Sequence, residues 1–398
     1  MMPGRAGGGV FVASLCLALC VCDSFRADTF IGPGWEDKQV SFQFNPGFTG
    51  NDAGALERQV EVILCAAKAW TDQTRADFRF VFEGTTEVVG VDLNDGVNNI
   101  SLVDAGEQNE ALAATFVLPD LDQTTFVAFD VVFFDKLGPT TLRWTTANDP
   151  ELGTVDIMGI ATHELGHAAG LGHLDDSEAT MFFSAQGRGL SHRSLNDLDR
   201  ECIESFYGLR TVEMPTVDVL SATPASGSIF GGNEVVIAGG NFTFTEETTL
   251  LFGDVPLLDI EWTVESCDRL RVLRTPEHSP GAVDITVINA VGEGTGAGLY
   301  EFRDDTGPYI RGDANGDGDV DIADAQTVLG VLFRGDPEKL DCEKSADFND
   351  SAKLDIADPI ATLRFLFLGA DDPPQPFSAC GRDPTTDTLT CGASPVCE

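Results

Sequence analysis

The chain is 398 residues long, and at roughly 150 residues per domain this length predicts two or three domains. It contains 65 Asp plus Glu against 24 Lys plus Arg, which gives a formal net charge of -41. A surface of that sign repels polyanions, so the composition argues against nucleic acids and anionic membranes as partners. The simplest interpretation is the solvated surface of a secreted protein, although many carboxylates cluster late in the chain.

The N-terminus has the pattern of a signal peptide, which we place at residues 1–27. Arg5 precedes an apolar stretch at 10–22, and polar residues follow it. These 13 apolar residues are fewer than the roughly 20 that a membrane-spanning helix needs, and no later stretch is long enough either. Cys20 and Cys22 leave a lipid anchor as an alternative, which the bulky residues before them disfavour. We therefore predict a secreted protein with no membrane span.

The cysteines predict disulfides, because none of them lies in a zinc-type CxxC pattern and the predicted compartment is oxidising. Removal of the signal peptide leaves seven, so one has no partner. Connectivity does not follow from the sequence. Our working hypothesis joins Cys65 with Cys202, Cys342 with Cys380, and Cys391 with Cys397, and leaves Cys267 unpaired.

Residues 28–208 combine helix and strand patterns and predict an α/β domain, followed by a linker at 209–215. Asn51 and Asp52 stand where they could cap an amphipathic helix whose apolar face runs from Leu56 to Ala67. Strand-like runs follow at 78–82, 88–93, 100–103 and 126–134.

A second helix in this region carries the run HELGHAAGLGH. His163 and His167 are four residues apart, so on a helix they project from one face. Glu164 lies one step round, where its carboxylate can reach an activated water without binding the metal. Gly170 permits a sharp turn at positive φ that returns the chain and makes His173 a third ligand. Three imidazoles, an open position and a nearby carboxylate are what a zinc hydrolase needs.

Chance is the competing explanation for this motif, because HExxH alone occurs in many helices. The extended motif makes chance agreement improbable, and it uses three of the five histidines in the chain. The other two, His192 and His278, are interpreted as ordinary surface or packing residues.

On these residues the sequence resembles the metzincin clan and, within it, the matrixin family. Met181 follows His173 by eight residues, where matrixins place the methionine beneath the zinc. Asp156-Ile157 and the segment 195–208 resemble the start of the active-site helix and the closing helix of that family. The resemblance implies a zinc endopeptidase with one catalytic Zn²⁺, a protein or peptide substrate, and Glu164 as the general base.

Two departures from the matrixin pattern affect what the resemblance implies. Phe182 and Phe183 replace the usual Tyr and Pro after the methionine, so the wall of the specificity pocket should differ in shape. No histidine remains for the second, structural zinc of animal matrixins.

Residues 214–303 change to short alternating runs broken by Gly, Pro, Asn and Thr, which predicts an all-β immunoglobulin-like sandwich. The segment resembles an IPT/TIG module, and nothing in it resembles a catalytic site. The matching residues are Thr223-Pro224, Gly231-Gly232, Gly239-Gly240 and Leu251-Phe252-Gly253.

Residues 309–377, after a second linker at 304–308, contain a repeat of 34 residues with two loops of EF-hand spacing. The first loop offers six ligands, with Gly318 at the turn: Asp313, Asn315, Asp317, Asp319, Asp321 and Asp324. The second offers Asp347, Asn349, Ser351, Lys353 through its backbone carbonyl, Asp355 and Asp358. Ala352 replaces the glycine there, so we expect one or two Ca²⁺ ions, with the second bound more weakly.

Each loop leads into an apolar helix, and the paired unit resembles a dockerin type I module over roughly residues 310–369. The resemblance implies a small helical module that calcium folds and that docks onto a cohesin-like domain. We expect the cysteine-containing tail at 378–398 to have little regular structure. Together these interpretations predict a multidomain extracellular zinc endopeptidase. The alternative is an adhesive or structural protein in which an inactive protease-like domain is only a scaffold.

Overall fold

The structure is a computed structural model. It describes residues 30–149, 151–212, 216–244, 248–303, 307–335, 340, 342–385, 387, 389–391, 394, 396 and 397. The predicted signal peptide lies outside the described residues, as do 213–215 and 304–306 of the two predicted linkers. The chain divides into two compact units: one takes in 1–216 and 243–246, and the other takes in 217–242 and 247–398.

A five-stranded sheet forms the centre of the first unit. Its strands are β1 (Gln39–Phe44), β2 (Arg79–Thr85), β3 (Asn99–Val103), β4 (Ala113–Pro119) and β5 (Phe126–Phe134). They lie in the order β2-β1-β3-β5-β4, with β4 antiparallel to β5 and all other neighbours parallel. Because β4 comes last in this order, one of its backbone edges is not used by the sheet.

Three helices accompany the sheet, together with four short strands. The helices are α1 (Leu56–Asp72), α2 (Ile157–Ala168) and α3 (Asp197–Tyr207). The short strands are β6 (Lys136–Leu137), β7 (Thr140–Thr141), β8 (Arg143–Thr145) and β9 (Thr154–Asp156), which pair as β6 with β7 and β8 with β9. Trp70 of α1 is fully buried and donates its indole N–H to the carbonyl of Thr162 in α2 at 2.7 Å.

Two predictions of local structure in this unit were wrong. Helix α1 begins at Leu56 after the N-cap residue Ala55, and residues 51–53 form a separate 3₁₀ turn. Residues 88–93 form no strand: Gly90 has a positive φ of 88°, and Asp92 accepts the amide of Asn94 in an Asx turn. The predicted strands at 100–103 and 126–134 are confirmed as β3 and β5.

Between residues 218 and 303, the second unit forms two packed, mainly antiparallel sheets, as the alternating pattern predicts. The strands are β10 (Asp218–Thr223), β11 (Ser226–Ser228), β12 (Val235–Gly240), β13 (Thr249–Phe252), β14 (Val255–Pro256), β15 (Trp262–Ser266), β16 (Arg269–Val272), β17 (Gly281–Asn289) and β18 (Gly292–Arg303). One sheet has the order β10-β12-β16-β15, and the other has the order β11-β18-β17-β13-β14, with β11 parallel to β18. Apolar side chains from both sheets, including Ile237 and Phe252, fill one core.

The C-terminal part of the second unit is helical. Its helices are α4 (Ile322–Arg334), α5 (Glu343–Ala346) and α6 (Ala357–Leu368). The helices α4 and α6 end at Gly335 and Gly369, which are equivalent positions of the 34-residue repeat. A small core of Ala314, Val328 and Ala346 lies between the first loop and these helices.

The disulfides differ from the hypothesis drawn from the sequence. Cys342 pairs with Cys391 and Cys380 pairs with Cys397. Cys65 and Cys267 are each disulfide-bonded, and Cys202 is buried. All three proposed pairs and the unpaired Cys267 were therefore wrong.

The physical reason for the C-terminal pairing is the path of the tail. Tyr309 exchanges both backbone hydrogen bonds with Gly381, and Cys342 forms an isolated bridge with Cys391. The returning tail thus brings together cysteines that are 49 residues apart. Its described residues form isolated bridges but no helix or longer strand, as expected.

Candidate active site

Helix α2 is buried along nearly its whole length, since 11 of its 12 residues are inaccessible and only His167 is partly exposed. Its first turn is capped by Asp156, whose carboxylate accepts the amide of Gly159 at 2.7 Å. The prediction that this helix begins after Asp156 is confirmed. Because buried polar groups need partners, the polar side chains of α2 are held in fixed positions.

The C-terminal end of α2 is fixed by groups from outside the motif. Gly170 adopts a φ of 99°, as predicted, and the amide of Leu171 returns to the carbonyl of Gly166 at 3.0 Å. The carbonyls of Ala168 and Ala169 accept the Trp35 indole at 2.8 Å and the Tyr207 hydroxyl at 2.6 Å. These bonds satisfy carbonyls that a helix end otherwise leaves without partners, and they determine where the returning chain carries His173.

The three motif histidines lie together, with one ring nitrogen from each within 4.8 Å of the others. The Nδ1 atoms of His163 and His167 lie 2.7 Å and 2.8 Å from the carbonyls of Thr180 and Leu171. A carbonyl only accepts, so each Nδ1 carries the proton and each Nε2 presents its lone pair.

The geometry and charge of this group suit zinc. The Nε2 atoms of His167 and His173 are 3.2 Å apart, close to the ~3.3 Å that Zn–N bonds of about 2.0–2.1 Å give between tetrahedral ligands. Burial lowers the pKa of His163 and His167, and it lowers the pKa of His173 to about 4 with a smaller contribution from His167. All three imidazoles are therefore neutral near pH 7, which is the form that binds a metal.

Glu164 lies beside the histidines and is 6% exposed. Thr115 of the edge strand β4 donates its hydroxyl to Glu164 Oε2 at 2.6 Å. Burial raises the pKa of Glu164 to about 7, while the hydrogen bond from Thr115 opposes the rise. A carboxyl group with that pKa is matched to proton transfer near neutral pH. Thr115 was not found from the sequence, because only the pairing of β4 with β5 places it here.

Met181 is fully buried, and its sulfur lies against the backbone of α2. A Cβ atom at Gly166 would lie 2.2 Å from Met181 Sδ, so only a residue without a side chain leaves room for the methionine here. The amides of Thr180 and Met181 donate to the Asp199 carboxylate at 2.7 Å and 3.0 Å. Gly166 and Thr180 were missed from the sequence, and Asp199 was named there only as part of the segment that resembles the closing helix. The fixed glycine within HELGH was the only available signal.

The two calcium-type loops have equivalent hydrogen bonds. Carboxylates at the first and twelfth positions accept backbone amides of their own loop: Asp313 from Asp317 and Gly318, Asp324 from Ala314, Asn315 and Asp321, Asp347 from Ser351 and Ala352, and Asp358 from Asp355. Asp321 and Asp355 accept the amides of Ala323 and Ala357 at the helix starts. Each loop is thus folded by its own carboxylates. The remaining predicted ligands are Asn315, Asp317, Asp319, Asn349, Ser351 and Lys353, and Ser351 donates its hydroxyl to the Lys353 carbonyl.

The loops differ at the turn position. Gly318 has a φ of 91°, and Ala352, its counterpart, has a φ of 61°. A residue with a Cβ atom is strained in this left-handed region, which agrees with a weaker second site.

A third cluster, formed by Asp350, Asp383 and Asp387, brings three carboxylates within 4.8 Å. Arg311 pairs with Asp350 and Asp383, and Lys344 lies 3.3 Å from Asp387. Because both cations are buried, this cluster is a compensated ionic network rather than a metal site.

The α/β fold and the histidine geometry are those of a matrixin-like domain, and comparison with known proteins agrees. Residues 34–208 match the Matrixin family, and residues 215–302 match the IPT/TIG domain. The chain therefore contains a matrixin domain followed by an IPT/TIG domain. It is also similar to matrilysin of Rattus norvegicus, with 26% identity over 179 residues that cover 45% of this chain and 60% of matrilysin. The dockerin-like character of the helical module stays a prediction.

Proposed function

We propose that the first unit is a zinc-dependent endopeptidase in which His163, His167 and His173 hold the metal and Glu164 is the general base. The observation that carries this proposal is the grouping of three neutral imidazoles beside a buried carboxyl group with a pKa of about 7. The match to the Matrixin family supports the same class of enzyme.

A zinc ion in this site would supply Lewis-acid polarisation of a peptide carbonyl and an activated water. Glu164 accepts a proton from the attacking water, holds it on the carboxylate and returns it to the leaving amine. Thr115 restrains Glu164 Oε2 through its hydroxyl, so the carboxylate keeps one orientation during both transfers. The carbonyls of Thr180 and Leu171 keep two imidazoles in the tautomer that binds metal.

The edge strand indicates the shape of the substrate. Thr115 places β4 next to Glu164, and β4 ends the sheet with one backbone edge available. An extended peptide that pairs with such an edge passes the carboxylate with its backbone exposed. A protein or peptide substrate bound in extended conformation follows from this arrangement.

The proposal includes secretion and calcium-dependent tethering. The disulfides in the structure suit an oxidising compartment. Among the described residues, no helix has the length and apolarity to cross a bilayer. One or two Ca²⁺ ions bound by the loops would stiffen the module that tethers the enzyme, and a cohesin-like partner stays a prediction of the dockerin resemblance.

The test is hydrolysis of casein or gelatin by the full chain, with and without a zinc chelator. Glu164→Ala should keep stoichiometric zinc and lower kcat by about 100- to 10,000-fold, the usual contribution of general base catalysis. Glu107→Ala, a change of the same kind at an exposed position, is the control and should retain full activity.

Full activity of Glu164→Ala would refute the role of that residue. Absence of chelator-sensitive cleavage by the unmodified protein would favour the alternative, a protease-like scaffold in an adhesive or structural protein.

A further inference from the structure

Three consecutive residues between Met181 and α3 are buried without a role in the site described so far. His192, Arg193 and Ser194 are 1%, 3% and 6% exposed. Burying polar side chains costs free energy unless they have partners, and the side chains of Arg193 and Ser194 have them. We call this segment the 192–194 strap.

Arg193 forms a two-point ion pair with the residue that caps α2. Its Nε donates to Asp156 Oδ2 at 2.9 Å, and its Nη2 donates to Asp156 Oδ1 at 2.6 Å. Both side chains are almost completely buried, and Asp156 also accepts the Gly159 amide in the first turn of α2. A planar guanidinium fork fixes both the position and the orientation of its carboxylate, which a lysine cannot do.

The neighbours of Arg193 on the strap contact the surroundings of His163. The Ser194 carbonyl accepts the Thr180 hydroxyl at 3.0 Å, and the Thr180 carbonyl is the partner of His163 Nδ1. The His192 ring lies 5.7 Å from the His163 ring, centre to centre. Arg193 thus binds the residue that caps the N-terminal end of α2, Ser194 binds Thr180, and His192 packs beside His163.

The backbone leading to the strap lies directly on the first turn of α2. A Cβ atom at Gly159 would lie 1.8 Å from the Gly189 carbonyl oxygen, so the two segments touch without an intervening side chain. Close packing of this kind transmits small displacements, because neither segment can give way without moving the other.

We infer that Arg193 is a positioning residue of the active site, which sets the N-terminal end of α2 through Asp156 and thereby the place of His163. The kinetic part of this inference rests on the proposed peptidase function, whereas its metal-binding part does not. Arg193 acts through the cap and through two further hydrogen bonds, from Nη1 to Asn148 Oδ1 at 2.9 Å and from Nη2 to the Ala147 carbonyl at 2.7 Å.

Phe244 also contacts the strap, and it does so within the first unit. The Phe244 amide donates to Ser194 Oγ at 2.8 Å, and the Phe244 ring centre lies 5.2 Å from the guanidinium carbon of Arg193. Residues 243–246 belong to the first unit although they lie beyond the matrixin match at 34–208. Phe244 therefore extends the same positioning contact with a cation–π interaction.

The test compares Arg193→Lys with Arg75→Lys in the full chain. Arg75 makes an equivalent fork with Glu204, with Nη2 3.0 Å from Oε2, but its side chain is 63% exposed. The measurements are kcat, KM, and zinc affinity by competition with a chromogenic chelator. Arg193→Lys should lower kcat and zinc affinity by about 10- to 100-fold with KM within about twofold, the range known for residues that orient metal ligands. Arg75→Lys should change none of them.

Asp156→Asn guards against a general folding defect, because asparagine caps a helix as well as aspartate but removes the charge from the ion pair. It should reproduce the effect of Arg193→Lys, and the double variant should be no worse than either single change. Phe244→Ala should shift zinc affinity in the same direction by a smaller factor.

Unchanged kcat and zinc affinity in folded Arg193→Lys would overturn the inference, even if its melting temperature fell. Zinc binding without any peptide hydrolysis by the unmodified protein would refute the proposed function alone, and the zinc affinities of the variants would still decide the role of Arg193. Failure of the unmodified protein to bind zinc would overturn both.

Discussion

The histidine site takes its orientation from distant segments of the chain. Thr180 holds the His163 ring 17 residues away in sequence, and Thr115 holds Glu164 across 49 residues. In the C-terminal repeat, by contrast, Asp313 and Asp347 accept amides only four and five residues further on. One ligand set is therefore positioned by the tertiary fold, and the other is positioned by its own loop.

Because of this difference, the two sets of ligands are held in place by different interactions. In the first unit, Thr115 of β4 restrains Glu164, and the carbonyls of Thr180 and Leu171 restrain the rings of His163 and His167. The carboxylates would repel one another, and each loop offsets this repulsion with its own backbone N–H groups. A change in the core of the first unit should therefore disturb the histidine site, whereas each calcium-type loop should respond only to changes within it.

The largest expected effect comes from removing a twelfth-position ligand. Asp324→Ala should weaken calcium binding at the first loop by about two orders of magnitude or more, because ligand charge sets affinity in such loops. Peptide hydrolysis should stay unchanged. Isothermal titration calorimetry with calcium, beside a casein assay, measures both quantities.

Asp358→Ala should remove only the weaker of the two binding events. Asp371→Ala, at an exposed position just after α6, should leave both intact. Calcium binding by Asp324→Ala at the original affinity would mean that the loop does not use this carboxylate.

A matched pair of glycine substitutions tests the role of packing. In Gly166→Ala the new Cβ meets Met181 Sδ at 2.2 Å and Trp70 Cζ2 at 2.6 Å, so we expect a loss of roughly 1–3 kcal/mol in the free energy of unfolding, with weaker zinc binding. Gly330 lies within α4 with no atom within 4 Å of an added Cβ, so Gly330→Ala should gain about 0.5–1 kcal/mol. Denaturant unfolding measures both changes. Equal effects would argue against Met181 packing on α2.

Acidification should weaken calcium binding more than zinc binding, by a smaller factor than the substitutions above. Burial raises the pKa of Asp324 to about 6, so protons compete with calcium below that pH. Burial lowers the pKa of His173 to about 4, so this ring stays neutral at pH 5. Between pH 7 and pH 5, calcium affinity should fall about tenfold while zinc stays bound. Dialysis at both pH values, followed by metal analysis, checks this. Loss of zinc at a higher pH than calcium would contradict this prediction.

Local patterns in the sequence predicted much of the architecture. The spacing of His163, Glu164 and His167 placed them on one helix, and Gly170 was recognised as the turn that returns His173. The 34-residue repeat predicted two equivalent loops with their helices. Each of these features involves residues within about a dozen positions of one another, and helix and loop periodicity fixes which side chains meet over such short sequence separations.

Predictions that depended on long-range packing were wrong or absent. The cysteine pairs were wrong because the tail returns to Tyr309 and Cys342, a path that no spacing reveals. His192 was interpreted as an ordinary surface or packing residue; it is a buried packing residue, but its place beside His163 was not predicted, and neither of its ring nitrogens has a hydrogen-bond partner among the described residues.

The sequence by itself determined which side chains could bind metal, because helical and loop periodicity fix the spacing of residues close in the chain. Only the tertiary structure decided how those side chains are oriented, since Thr115, Thr180 and Arg193 come from separate segments. The physical reason is that hydrogen bonds and ion pairs in a buried site join whichever groups the packing of the core brings together, at any distance along the chain.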